Sequence, residues 1–215
     1  MKGIDGTRNG WITAEYTGNS WEIEFYEKLS SIEFDKALID IPIGLSEAST
    51  RECDEKAREF LSPERHYSIF NCPVREAVYA ETYEEACEVN ERKTGKRISK
   101  QAWNIVPKIK EADREASKRE LKESHPEVFF KSIDSESVKE SKNSVEGLKM
   151  RRKVLERFGD TSVIESFSQE GVTEDDIVDA MALSLGNEFE LKNIPEDPEV
   201  DSKGLEMSIL RPLIR

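Results

Sequence analysis

Histidine is nearly absent from this chain of 215 residues, which holds two, and cysteine is scarce at three. Cys53, Cys72 and Cys87 are an odd number without metal-ligand spacing, and only His66 lies near any of them. Neither a disulfide framework nor a zinc site fits that pattern, so the thiols are expected to be reduced and packed. With His125 the only other imidazole, no Ser-His or Cys-His nucleophile signature emerges. Long apolar runs are missing too: nothing approaches the ~18 consecutive residues of a membrane span, and no basic-then-apolar leader opens the chain. The expectation is a soluble, cytoplasmic protein without a membrane partner.

Positive charge is in deficit, with 32 Lys and Arg against 45 Asp and Glu, a formal net charge of -13. A nucleic-acid binder usually carries a basic face, so this balance counts against DNA or RNA as a substrate, a long duplex above all. A dense acidic surface also suits a salt-adapted proteome, although lysine remains plentiful here. Internal repeats and low-complexity segments are lacking, and the length fits one domain, residues 1–215, rather than two full lobes.

What is there reads as an α/β chain. "KGIDGT", "GWITAEYTG" and "SWEIEFYEK", separated by Gly, Asn and Ser, predict three short strands in an antiparallel meander. In "FDKALIDIPIGL" the apolar run Ala37 to Ile41, closed by Pro42 and Gly44, predicts a strand buried on both faces. From about residue 50 to 117 the spacing turns helical, with Ser49 or Thr50, Thr82 and Ser99 as expected N-caps, which implies a helical insertion covering one sheet edge. "RELKESHPEVFF" predicts a strand and then a helix with Pro126 in its first turn. "SKNSVEGLKMRRKVLERFG" predicts a helix ending at Gly159, and "TEDDIVDAMALSLGNEFE" a final core helix with a Thr173–Asp176 capping box. A Pro- and acid-rich loop and a tail or terminal edge strand are expected over about 190–215.

The carboxylates carry the chemistry. Asp5 interrupts an apolar strand, Asp40 sits between Ile39 and Ile41, and Asp176 and Asp179 share a helix face beside small Ala180 and Ala182. Buried carboxylates cost several kcal/mol unless paired, protonated or bound to a cation. Four of them converging from two strands and a helix would call for a divalent ion, Mg²⁺ or Mn²⁺, and for metal-assisted phosphoryl transfer. Taken singly, each has a plainer reading: Asp5 or Asp40 in a turn, Asp176 at a helix N-terminus.

"GIDGTRNGW", "DIPIGL", "RECDEKAR", "SKQAWNIVPKIKE", "SHPEVFF", "SKNSVEGLKMRR" and "DDIVDAMALS" together resemble, in the same order, the domain-of-unknown-function family numbered 429, whose members are predicted to be ribonuclease-H-like nucleases. The resemblance implies a ribonuclease-H-like fold with a mixed five-stranded sheet flanked by helices. It also implies a distant similarity to RuvC-type Holliday-junction resolvases, which place an aspartate on the first strand, an acid on the fourth and a D-x-x-D pair on the last helix. Those positions are Asp5, Asp40, Asp176 and Asp179 here, with Asp40 standing where the resolvases usually have a glutamate. The implied function is a metal-dependent nuclease acting on DNA or RNA.

Further candidates surround that set. His125 would move a proton and Glu127 hold a water or second ion, with Glu123 on the same strand face; equally, His125 would pair with a backbone carbonyl and Glu127 start a helix. Arg75, Lys100, Gln101, Lys108, Lys142, Arg151 and Arg152 are phosphate-contact candidates, or else solvated charges. Trp103 would stack on a base or pack in the core, and Trp11 and Trp21 are expected to pack on the sheet. Two competing readings remain. "GIDGTRNGW" also resembles the first phosphate loop of actin-like kinases, which need two lobes and a later adenosine motif not seen here, and the fold would also serve as a non-catalytic scaffold.

Overall fold

The computed structural model describes residues 1–214, so the last residue of the tail, Arg215, lies outside the described residues. β1 (Lys2–Gly6), β2 (Trp11–Tyr16) and β3 (Trp21–Tyr26) form the expected antiparallel meander, with Asp5 opposite Ile12 and Tyr16 opposite Trp21. β4 (Lys36–Ile39) pairs parallel with the free side of β1, and β5 (Glu120–Glu123) parallel with β4. The result is a mixed five-stranded sheet in the order β3-β2-β1-β4-β5, flanked by helices, with β1 at its centre. The ladder of β4 stops at Ile39 rather than Ile41. Asp40 still donates its N–H to the Ile4 carbonyl at 3.1 Å, but Pro42 has no N–H to offer.

Between β4 and β5 run α1 (Glu52–Leu61), α2 (Arg75–Val78), α3 (Tyr83–Thr94) and α4 (Lys100–Glu115). Parallel strands cannot be joined by a hairpin, so this helical block is also the crossover that makes the β4–β5 pairing possible. Thr82 and Ser99 cap α3 and α4 as expected, accepting the Glu85 and Ala102 N–H groups at 3.2 and 3.1 Å. Neither Ser49 nor Thr50 caps α1. Its N-cap position is Arg51, whose side chain is sunk into the protein.

After β5 come α5 (Pro126–Ile133), α6 (Val145–Leu155), α7 (Val163–Ser166) and α8 (Glu174–Ser184). Pro126 starts α5 as predicted, and the Thr173–Asp176 capping box forms, with Asp176 accepting the Thr173 N–H at 2.8 Å. α6 ends at Leu155, short of Gly159, and α8 ends at Ser184. The "EFE" segment does not continue that helix; Glu190 opens β6 (Glu190–Ile194), which pairs antiparallel with β7 (Ile209–Leu213). The expected loop stays irregular between residues 195 and 208, the expected terminal edge strand is β7, and β6, its partner, is the element that sequence pattern did not predict. The pair is docked because Ile194, Met207 and Ile209 bury against Cys53, Ala57 and Leu61 of α1 and Val128 of α5, and because the Ser124 hydroxyl donates to the Leu210 carbonyl at 2.8 Å. All three cysteines are free and buried, as expected.

The two-residue period of the strands sorts the sheet into two faces. Ile4, Trp11, Ala37 and Ile39 pack with Val106, Ile109 and Ala112 of α4, whereas Ile12, Ala14 and Leu38 pack with α8. Trp11 and Trp21 fill opposite faces, as expected of sheet packing. Gly3 faces α8 so closely that an added Cβ would stand 2.0 Å from the Ala180 carbonyl oxygen and 2.4 Å from the Ser184 nitrogen. This backbone approach brings α8 onto the middle of the sheet, one pleat from Asp5. Gly3→Ala is accordingly expected to cost about 3 kcal/mol by overpacking, read as a lowered melting temperature; an unchanged one would mean that α8 has room to retreat.

Candidate functional site

Asp5 shares a face of β1 with Gly3, and Asp40 follows β4 on the face of Leu38, so both point toward α8. Asp176 and Asp179 come down from α8 to meet them. Asp5, Asp40 and Asp176 line one cavity of about 410 Å³, together with Lys108, Lys142, His125 and Glu127. Asp179 lies behind them, 1 % exposed, with Lys142 bonded to its Oδ2 and 3.9 Å from Asp175. Burial pushes Asp5 well above the usual carboxylate range, with Asp40 and Asp179 adding to the shift. It pushes Asp40 and Asp179 each to about 6 despite the nearby Lys142 ammonium. Asp176 is raised as well, chiefly by burial. Lys142 is raised in turn, above all by Asp179.

The site is held by buried ion pairs. Arg51 donates to Asp54 Oδ1 from Nη2 at 2.5 Å, and to both Glu123 oxygens at 2.8 and 2.9 Å. It also donates to the Ile43 and Gly44 carbonyls at 3.0 and 3.1 Å, thereby fixing the "IPIG" turn that carries Asp40. Gly44 takes φ +76° there, and a side chain on it would meet the Glu206 carbonyl at 2.9 Å. Across the cavity, Arg151 Nη2 holds Glu127 Oε2 at 2.5 Å and its Nη1 reaches the Gly147 carbonyl at 2.9 Å.

A family model matches residues 3–199, a span that takes in the main sheet from Gly3 of β1 onward and the whole of α8. The chain belongs to the DUF429 family. That family is described as a protein of unknown function, and no curated protein and no solved structure matches the chain.

In this DUF429 chain the predicted residues fall into two groups. Asp5, Asp40, Asp176, Asp179, Glu127, His125, Lys108 and Lys142 come together. Lys108 lies against Gly6 and over the Trp11 ring at 4.1 Å, donating to the Gly10 carbonyl at 2.5 Å. Arg151 is close but fully buried and committed to Glu127 and to backbone carbonyls, so it positions Glu127 rather than meeting a substrate. Arg75 is elsewhere, binding Asp113 at 2.9 Å along with Glu47 and Asp201. Lys100, 3.3 Å over the Tyr83 ring, and exposed Gln101 stay outside the cavity, and Arg152 pairs with Glu165. Trp103, partly buried, packs on Tyr83 with ring centroids 5.9 Å apart, against the edge of the core.

His125 takes the plainer of its two expected places, hydrogen-bonded to the backbone of Ser68. It is the N-cap of α5, Nδ1 accepting the Glu127 N–H at 3.2 Å, and burial lowers its pKa to about 4, so the ring is neutral at pH 7. Glu123 is the partner of Arg51 and of the Ile43 N–H at 2.8 Å, not a further ligand candidate. Sequence reasoning missed Arg51, which stands between Thr50 and Glu52 with no local signal of its burial, and the "SKN" loop that delivers Lys142 beside Ser141 and Asn143.

The donor set suits a hard divalent ion in kind, being all carboxylate oxygen. Asp179 Oδ1 is buried with no hydrogen-bond partner, an acceptor left without a donor or cation. The spacing is not that of a finished cage, since among the described residues no three His, Cys, Asp or Glu groups form one. Lys142 supplies the cationic charge at Asp179 instead.

Linkage gives a direct prediction. Asp40 titrates at about 6 when folded, against its usual 3.8, so its contribution to stability is fully present below ~3.8 and is lost as pH rises through 6. In EDTA, the melting temperature of the wild type should fall relative to Asp40→Asn between about pH 4 and 6. A pH-independent difference would show that Asp40 is solvated. Among the described residues no helix is long and apolar enough to cross a membrane.

Proposed function

We propose that the protein is a Mg²⁺- or Mn²⁺-dependent phosphodiesterase of ribonuclease-H-like fold, acting on nucleic acid. The observation that carries this reading is the convergence of Asp5, Asp40, Asp176 and Asp179 from the first strand, the end of the fourth and the last core helix, with Asp179 Oδ1 left unpartnered. The placement matches the acid positions of RuvC-type resolvases, and the mixed five-stranded sheet is the one that resemblance implies.

Asp5, Asp40, Asp176 and Asp179 would hold the ion, which when bound supplies Lewis acidity and a lowered water pKa. Lys108 and Lys142 lie on the cavity wall, where they orient an anionic phosphate. Glu127, anchored by Arg151, is the remaining carboxylate able to hold a water within the cavity. The α1–α4 block, through the turn around Tyr67 and through α4, walls the cavity and restricts what enters.

A second reading, a scaffold that keeps the fold without the chemistry, is favoured by the Lys142–Asp179 pair, which compensates the buried charge without a metal. The actin-like reading has no such support, because the described residues form one five-stranded and one two-stranded sheet rather than two lobes. The discriminating experiment incubates the protein with single-stranded, duplex and branched DNA and RNA in Mn²⁺ and in EDTA. The nuclease reading expects Mn²⁺-dependent cleavage of at least one of them, and cleavage of none favours the scaffold.

A further inference from the structure

Among the described residues the large apolar side chains most open to solvent are Tyr67, Tyr79, Val145, Val200 and Ile214. Of these only Tyr67, 65 % exposed, lines the cavity that holds the carboxylates. An exposed ring ordinarily samples several rotamers, but this one is fixed. Its hydroxyl is bonded by the Arg65 guanidinium, and Arg65 is itself buried and tied through Nε to the Val138 carbonyl at 3.0 Å. The His66 ring stands edge-on to it at 5.6 Å. Phe70 also lines the cavity wall.

An aromatic ring on the wall of a cavity that also holds carboxylates and two lysines matches the two chemistries of a nucleotide, base and phosphate. Base stacking on such a ring is tolerant of sequence, because every base has a π-face. The cavity volume of about 410 Å³ falls within the size of small-ligand sites, roughly 300–1,000 Å³, rather than that of a groove for a helix. A continuous duplex keeps its base faces stacked and presents one phosphate charge per about 1.7 Å, which calls for a long basic track. A chain of net charge -13 with its site cations confined to one pocket does not supply that track.

We propose that the site receives one unstacked nucleotide at a time, its base against Tyr67 and its phosphate toward Lys108, Lys142 and the carboxylates. The substrate is then a single-stranded or terminal segment, or a free nucleotide, and not uninterrupted duplex. This inference rests on the phosphodiesterase reading for what happens at the phosphate, but base stacking is tested apart from it.

The test is fluorescence anisotropy of the full chain in Mn²⁺ with a cleavage-resistant phosphorothioate oligothymidylate, compared with a blunt duplex of the same length. Tyr67→Ala and Tyr67→Phe are run beside the wild type, with Mn²⁺ affinity measured for each. The single strand is expected to bind at least tenfold tighter than the duplex. Tyr67→Ala should weaken it about tenfold, Tyr67→Phe should keep most of the affinity because the ring remains, and Mn²⁺ binding should be the same in all three. Competition by thymidine monophosphate would assign the pocket to free nucleotides, and failure to compete would assign it to strands. Equal affinity of Tyr67→Ala and wild type, duplex binding as tight as single strand, or no binding of any probe by the wild type overturns the proposal. A failure of the carboxylate reading registers separately, as absent Mn²⁺ binding by the wild type.

Discussion

On the proposed phosphodiesterase reading, Asp179→Asn should hydrolyse phosphodiesters about a thousandfold more slowly than the wild type, since a metal's charge stabilisation is worth several kcal/mol and each ~1.4 kcal/mol is tenfold in rate. The side chain is 1 % exposed, its Oδ1 has no partner, and its Oδ2 meets the only ammonium bonded to the cluster's carboxylates among the described residues. The amide has nearly the same shape, so packing beneath α8 is retained while the anionic ligand is lost. The comparison is made with saturating Mn²⁺ on whichever substrate the wild type cleaves, with circular dichroism confirming the fold. A rate within threefold of wild type would mean that Asp179 is merely the counter-ion of Lys142.

Arg51→Met should lower the stability of the protein by about 3–5 kcal/mol, the cost of leaving buried charges without their partner. Methionine fills much of the volume, but Asp54 and Glu123, both nearly fully buried, lose the guanidinium that bridges them. The Ile43 and Gly44 carbonyls lose a donor at the same time. Because that turn follows Asp40, the residual folded protein should also bind metal less tightly. Urea denaturation measures the first effect. A loss below about 1 kcal/mol would class the network with exposed ion pairs rather than buried ones.

The strands and the carboxylates were legible in the sequence because both follow short-range rules. Alternation puts Gly3 and Asp5, or Leu38 and Asp40, on one face of a strand, and a spacing of three puts Asp176 and Asp179 on one face of a helix. Which cations face the cavity was not legible, since residue type alone cannot tell a solvent-facing cation from one already neutralised by a distant partner. Arg75 is taken by Asp113 and Asp201, and Arg151 by Glu127, all far away in the chain. His125 looked like a proton carrier from its chemistry, yet the helix start at Pro126 claims its Nδ1 and burial removes its charge. β7 fell within the expected tail or terminal edge strand, but β6 was hidden between a helical pattern and an acid- and proline-rich loop, and only tertiary burial against α1 and α5 shows why the pair orders. Tyr67 has no periodic signal at all, lying on a turn inside the helical block.

The most direct test of the account is a calorimetric Mn²⁺ titration of the wild type and of the Asp5→Asn/Asp179→Asn double variant at pH 7.5, above the raised titrations of Asp40 and Asp179 at about 6. The account predicts saturable binding by the wild type, displacing Lys142 from Asp179, and none by the double variant. No heat of binding by the wild type at millimolar Mn²⁺ would contradict it, leaving Lys142 as the permanent cation of a site that does no metal chemistry.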